Sequence, residues 1–250
     1  MGKTKQKLKE GKVSLGGWIM MGHPSIAELM AGEGFDWIAV DLEHTSTDLR
    51  TFHEIVLATK GTGVDVLARM PGHDPDFAKR ILDAGASGLI VPNINTPEQA
   101  KLAVQMATFP PKGIRGASLC RATDYGRNFD EYYNSHNDNV TVVVMIEHKQ
   151  AVENIDDILS VEGIDATLIG PYDMSASMGI AGQIDHEDVK SAQEKVLEAC
   201  KKHNVPAGLH VVPVDPEQVK QRQEKGYRFI ACSLDTEFIM LGCRKMLGKE

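Results

Sequence analysis

Cysteine is scarce in this sequence: Cys120, Cys200, Cys232 and Cys243 are the only four in 250 residues, and no C-x-x-C spacing occurs among them. That sets aside thiol-redox and zinc-knuckle motifs and leaves reduced, mostly buried small apolar side chains. No apolar run approaches the length of a membrane span. The opening MGKTKQKLKEGK has no apolar core of a signal peptide, and Gln6 stands where a myristoylation signal needs Ser or Thr. These absences predict a cytoplasmic protein with no membrane partner. A basic stripe is missing too: 27 Lys and Arg face 35 Asp and Glu, for a formal charge of -8. Nucleic acid is therefore not an expected partner. An anionic substrate stays open, because a few local arginine or metal charges outweigh a diffuse net charge at short range.

Three catalytic signatures are also missing. No G-x-G-x-x-G follows the first candidate strand, which argues against a dinucleotide-binding sheet. There is no G-x-S-x-G, and Ser118, Ser175 and Ser177 have no evident base. No candidate strand carries an interior lysine, as a Schiff-base enzyme would require; Lys149 lies just past a strand and reads as solvated.

What is present is alternation. Candidate strands occupy 15–21, 36–42, 64–69, 88–91, 140–147, 165–169, 206–211 and 228–232. Amphipathic segments lie between them, including Asp48–Lys60, Pro75–Ala84, Pro97–Phe109 and Glu187–His203. Several open on N-cap or first-turn residues: Asp48, Asp74-Pro75, Thr96-Pro97 and Asp215-Pro216. Continuous apolar strands alternating with helices imply a parallel sheet covered on both faces. Eight such units in 250 residues, 42% of them hydrophobic, predict one (β/α)8 barrel domain over 1–250. An open doubly wound sheet is the runner-up. The segment Pro110–Asn139 has little periodicity, and a loop that long is usually functional or contacts a partner chain.

Barrel active sites form at the C-terminal ends of strands. There the sequence carries Asp41, Glu43 and His44, then Arg69, Asn93, Glu147-His148, Asp173 and His210. Glu147 and Asp173, at the ends of neighbouring strands, suit a hard divalent cation with positions left for substrate oxygens. Either acid alone reads equally well as a helix cap or ion-pair partner. His44 has the chemistry of an acid–base group, and also of an ordinary loop histidine. Arg69 at a strand end implies an anionic partner, substrate or protein.

Longer segments sharpen this reading: DWIAVDLEHTSTD, ARMPGHDPDFAKRILDAGASGLIVPNINTPEQA, GIRGASLCRATDYG, MIEHKQAVENIDDILSVEGIDATLIGPYDMSASMG and GYRFIACSLDT. In order and over nearly the whole chain, they resemble the metal-dependent (class II) pyruvate aldolases of the HpcH/HpaI type. The resemblance implies a (β/α)8 barrel, assembled as a trimer or hexamer with the last helix exchanged between subunits. It implies reversible cleavage of a 4-hydroxy-2-oxo acid to pyruvate and an aldehyde through a metal-stabilised pyruvate enolate. Glu147 and Asp173 would hold Mg2+ or Mn2+. His44 would be the catalytic base, with Asp83 as its partner. Arg69 would bind the keto oxygen and Trp18 would line the pocket. The turn Gly170, Pro171, Tyr172 and Asp173 would bind substrate, with Asp41 and Glu43 in support. Arg121 and Tyr125 would lie near the mouth or at a subunit contact. Two positions depart from the pattern: Met145 stands where many members have Gln, and Tyr172 where a small residue is common. An acyl-CoA lyase of the citrate or malyl type and a non-catalytic sugar-acid-binding barrel are the alternatives.

The missing barrel lysine generates the first prediction. Borohydride reduction in the presence of pyruvate leaves no covalent adduct, as read by intact mass; a lysine adduct would replace the metal-dependent account.

Overall fold

The computed structural model describes residues 2–249, so Met1 and Glu250 of the expected span lie outside the described residues. Eight parallel strands pair in chain order and close into a barrel. They are β1 Ser14–Ile19, β2 Trp37–Asp41, β3 Asp65–Arg69, β4 Gly88–Val91, β5 Thr141–Ile146, β6 Ala166–Ile169, β7 Gly208–Val211 and β8 Phe229–Leu234. Before, between and after them run α1 Lys3–Lys9, α2 Pro24–Gly32, α3 Leu49–Ala58, α4 Pro75–Asp83, α5 Pro97–Ala107, α6 Phe129–Asn139, α7 Lys149–Glu153, α8 Ile155–Leu159, α9 Pro171–Ser177, α10 Glu187–His203, α11 Pro216–Lys225 and α12 Asp235–Met246. The (β/α)8 expectation holds, and the open-sheet alternative falls because β1 pairs with β8.

Alternation along each strand sorts its side chains into two cores. Ile38, Val40, Val66, Leu89, Val142 and Val144 pack outward with the helices. Trp37, Ala39, Leu67, Ile90, Val143 and Met145 fill the barrel interior. At the floor the Trp37 indole stacks on Phe229 with centroids 4.2 Å apart. Gly16 is required beside it, since a Cβ there would stand 2.0 Å from the indole ring.

Helix α1 closes the N-terminal ends of the strands. Buried Lys5 donates to the Val140 carbonyl and pairs with Asp165 at 2.9 Å. The Thr4 N–H donates to Asp65 at 2.7 Å, and Lys7 holds Asp36 at 2.8 Å. With that end plugged, the C-terminal ends of the strands form the open mouth. Caps start the helices where the sequence predicts. Asp48, Asp74 and Asp215 accept first-turn N–H groups, and Thr96 forms a capping box with Gln99. The expected strand 15–21 stops early because the N–H groups of Met20 and Met21 turn to Asp235, each at 3.0 Å.

Pro110–Asn139 departs from its predicted irregularity. It contains a 3-10 turn over Arg121–Gly126 and the eleven-residue α6. The face of α6 is aromatic rather than aliphatic, which hides its period from a hydropathy reading. Phe129, Tyr132, Tyr133 and His136 recur at helical spacing, and Tyr133 and His136 meet the Phe109 ring at 4.6 and 5.0 Å. Arg115 locks the segment: it stacks 4.5 Å from the Phe109 centroid and donates to the Tyr132 hydroxyl at 2.9 Å. It also donates to Asp83 at 2.8 Å and lies 2.8 Å from His136 Nε2. At the other end of the chain, α12 leaves Ile239, Met240, Leu241 and Met246 exposed. No helix among the described residues is long and apolar enough to cross a membrane.

Burial, with the Arg115 charge adding to it, pushes the His136 imidazole down to about 4. The unfolded chain takes up that proton near the ordinary histidine value, about 6.5, while the folded protein refuses it. Stability from this group is complete above about pH 6.5 and falls as pH drops toward 4. Urea midpoints should therefore decline more steeply between about pH 7 and pH 5 in the wild type than in His136→Gln. Equal slopes would assign the effect elsewhere.

Candidate active site

Asp41, the last residue of β2, is fully buried and organises the mouth. Its Oδ1 accepts the N–H groups of Glu43 and His44, both at 2.9 Å, which folds the next loop back over the strand end. Its Oδ2 accepts Trp18 Nε1–H at 3.0 Å and Arg69 Nη1–H at 3.1 Å. Burial raises its pKa, but Arg69 and the N–H donors outweigh burial and hold the carboxyl below its ordinary value. Arg69 ends β3 and is also buried. Its Nη2 stands 2.6 Å from Glu43 Oε2, an ion pair by distance whose alignment is not that of a hydrogen bond. Arg69 Nε finds no acceptor among the described residues.

Glu147 follows β5 and is 2% exposed. Its Oε1 accepts the Asn93 N–H at 2.7 Å, which Asn93 presents by adopting a left-handed φ of 52°. Its Oε2 is buried without a partner among the described residues. Burial, followed by the Asp173 and Glu43 charges, pushes the carboxyl up to about 7 against the opposing Asn93 bond and Arg69. Gly170 leaves the space beside it, since a Cβ there would lie 2.7 Å from Oε2. Asp173, in the first turn of α9, is exposed. An orphaned carboxylate oxygen with a second acid nearby fits a divalent cation, which would relieve the repulsion that burial creates. No group of three or more His, Cys, Asp or Glu side chains among the described residues could hold an ion by itself.

The other predicted residues fall in several places. Trp18 is 2% exposed, so it forms the floor of the mouth rather than its wall, with Arg69 Cζ 5.8 Å from its centroid. His44 stands on the rim with over half of its side chain exposed, 3.7 Å from Glu43. Asp83 does not meet it. As the final residue of α4, which runs antiparallel to the strands, Asp83 is carried away from the mouth and held by Arg115. Among the described residues of one chain Asp83 pairs with Arg115, and the acid beside His44 is Glu43. Met145 is buried among the interior side chains, while Tyr172 is 54% exposed and leaves the centre open. His148 only caps α7. Arg121 and Tyr125 line an outer groove of about 820 Å3 together with Leu49, Phe77, Arg80 and Asp83. This large cavity holds none of the acids of the mouth, so the chemistry, not the volume, locates the site. Asn93 and His210 appear in the sequence only as polar strand-end residues. Their orientation depends on backbone turns that residue type does not signal.

Known proteins share this fold and part of this sequence. A sequence profile of the HpcH/HpaI aldolase/citrate lyase family matches residues 15–240. The 5-keto-4-deoxy-D-glucarate aldolase of Escherichia coli (strain K12) is 34% identical over 233 residues, 93% of this chain and 90% of that protein. Among solved structures, a HpcH/HpaI aldolase/citrate lyase family protein from Burkholderia cenocepacia J2315 superposes with a TM-score of 0.94 at 33% identity, covering 100% of this chain and 99% of that one. A HpcH/HpaI aldolase from Desulfitobacterium hafniense DCB-2 gives 0.91 at 31% identity, covering 99% and 96%.

The pairing of Arg69 with Asp41 generates a stability prediction. Arg69→Met strands a buried carboxylate and should cost about 3 kcal/mol in urea unfolding, with Asp41→Asn recovering part of it in the double variant. An unchanged midpoint would mean that the Trp18 and backbone donors suffice for Asp41.

Proposed function

The chain belongs to the HpcH/HpaI aldolase/citrate lyase family, and from that premise we propose that it cleaves a 4-hydroxy-2-oxo acid reversibly to pyruvate and an aldehyde. It is a carbon–carbon lyase. The observation that carries the reading is the buried, unpartnered Glu147 Oε2 beside the Arg69 guanidinium and Asp173. The Escherichia coli relative is a 5-keto-4-deoxy-D-glucarate aldolase, which puts sugar-acid-derived 2-oxo acids first among substrates to try.

Glu147 and Asp173 would hold Mg2+ or Mn2+, which supplies Lewis acidity at the oxygens of the 2-oxo acid. Arg69 acts from the protein side. Asp41 and Glu43 fix its guanidinium, whose positive charge stabilises the keto oxygen as charge accumulates there on forming the enolate. Because Asp41 is already saturated, Arg69 is preorganised rather than recruited. The turn Gly170–Asp173 lies against Glu147 and offers first-turn N–H groups to the substrate carboxylate. His44, on the rim beside Glu43, moves the proton of the C4 hydroxyl, a role that typically contributes about 10²–10⁴-fold. Asp83 is assigned no step. Exposed apolar side chains on α12 support a homo-oligomer, trimer or hexamer, in which a neighbour covers them through exchange of that helix. Composition supports a cytoplasmic setting.

The test is proton exchange at the pyruvate methyl group in D2O, followed by NMR. Chelator treatment should abolish it, and Mg2+ or Mn2+ should restore it. Full exchange by rigorously metal-free protein would sink the metal-dependent reading. An aldehyde screen with pyruvate, scored by product mass, then identifies the partner substrate.

A further inference from the structure

The parity of β7 puts one more ionisable ring inside the barrel. Leu209 and Val211 pack outward with the helices, so Gly208 and His210 face the interior. His210 is the partly exposed residue of that strand. Its ring lies against the Trp18 indole, with centroids 5.0 Å and planes 31° apart. That same indole forms the floor beneath Arg69, so His210 shares the layer of the mouth where Asp41 and Arg69 stand.

The backbone of β8 dictates which nitrogen of this ring carries the proton. Nε2 lies 3.1 Å from the Ser233 carbonyl. A carbonyl only accepts, so Nε2 is the protonated nitrogen. Ser233 reaches this position by adopting φ 61°, a left-handed conformation that disfavours a residue with a Cβ. The register between β1 and β8 shifts just there, between Gly16 and Trp18. Ser233 Oγ donates to the Val212 carbonyl at 2.7 Å, tying the strained residue to the end of β7. Burial, with Arg69 adding to it, pushes the imidazole down to about 4 despite the Ser233 bond. The ring is therefore neutral at working pH, and Nδ1 carries a lone pair. Among the described residues Nδ1 has no hydrogen-bond partner.

An acceptor-only nitrogen at the mouth selects a donor. The Arg69 charge nearby disfavours a cationic donor, which leaves a neutral hydroxyl. We propose that His210 is a specificity-determining residue: its Nδ1 accepts a hydrogen bond from a hydroxyl group of the aldehyde partner, favouring hydroxylated over plain aliphatic aldehydes. Ser233 is its positioning residue, since its carbonyl sets the tautomer. The inference rests on the lyase reading above and extends it to the half of the substrate that pyruvate does not represent.

The experiment compares glycolaldehyde with acetaldehyde, which differ by one hydroxyl, as acceptors for pyruvate in the presence of Mn2+. The readout is the ratio of the two kcat/KM values. In His210→Phe, which keeps a ring against Trp18 but has no acceptor, the preference for glycolaldehyde should fall about tenfold, mostly through KM, the size of one neutral hydrogen bond. His210→Gln, which regains an acceptor oxygen, should recover part of the preference. A ratio unmoved in His210→Phe, or a loss falling equally on both aldehydes, overturns the inference. Absence of pyruvate proton exchange in the wild-type protein with Mn2+ overturns the lyase reading itself, and so separates the two failures.

Discussion

The mouth of this barrel hangs on one carboxylate. Asp41 is wholly buried and receives four N–H donors: two from the loop that follows it, one from the Trp18 indole and one from Arg69. Each bond fixes a different part of the site. The two loop N–H groups set where Glu43 and His44 leave the strand. The indole bond sets the floor, and the guanidinium bond points Arg69 across the opening. A buried charge is tolerable only when its lone pairs are matched. The arrangement is therefore all or nothing: removing any donor leaves an expensive group, and the geometry of the remaining three suffers with it.

A second carboxylate, three strands further round the barrel, meets the opposite fate. Glu147 is as buried as Asp41 but has one backbone donor and one orphaned oxygen. Burial therefore wins, and its pKa rises while that of Asp41 falls. Two carboxyl groups in two environments are thus driven apart, one held ionised within the scaffold and the other pushed toward its neutral form. Arg69 stands between them, bound to one side and still carrying an unmatched Nε–H.

Far from the mouth, Arg115 plays a role parallel to that of Asp41. It gathers Asp83, Tyr132, His136 and the Phe109 ring, and so gives order to a segment that lacks an aliphatic core. Asp83 spends its charge there. The aspartate is placed by the direction of α4, which begins at the mouth and ends away from it, and no local feature of the motif around it carries that information.

The barrel was legible from residue order because its causes are local. Strands buried on both faces need continuous apolar runs, helices need caps, and eight repeats of that pattern leave few other ways to close a parallel sheet. The strand-end residues Asp41, Arg69 and Glu147 were legible for the same reason, since their depth follows from strand length. Asp173 follows from its place in the turn after β6. Tertiary structure alone decided the rest. Whether Asp83 meets His44 or Arg115 depends on helix direction, and α6 is held by aromatic and guanidinium contacts that hydropathy does not register. The tautomer of His210 depends on a left-handed turn at Ser233, twenty-three residues away in sequence and one hydrogen bond away in space. Periodicity reports which face of an element is buried, but partners are chosen by contacts between elements, and those exist only once the barrel has closed.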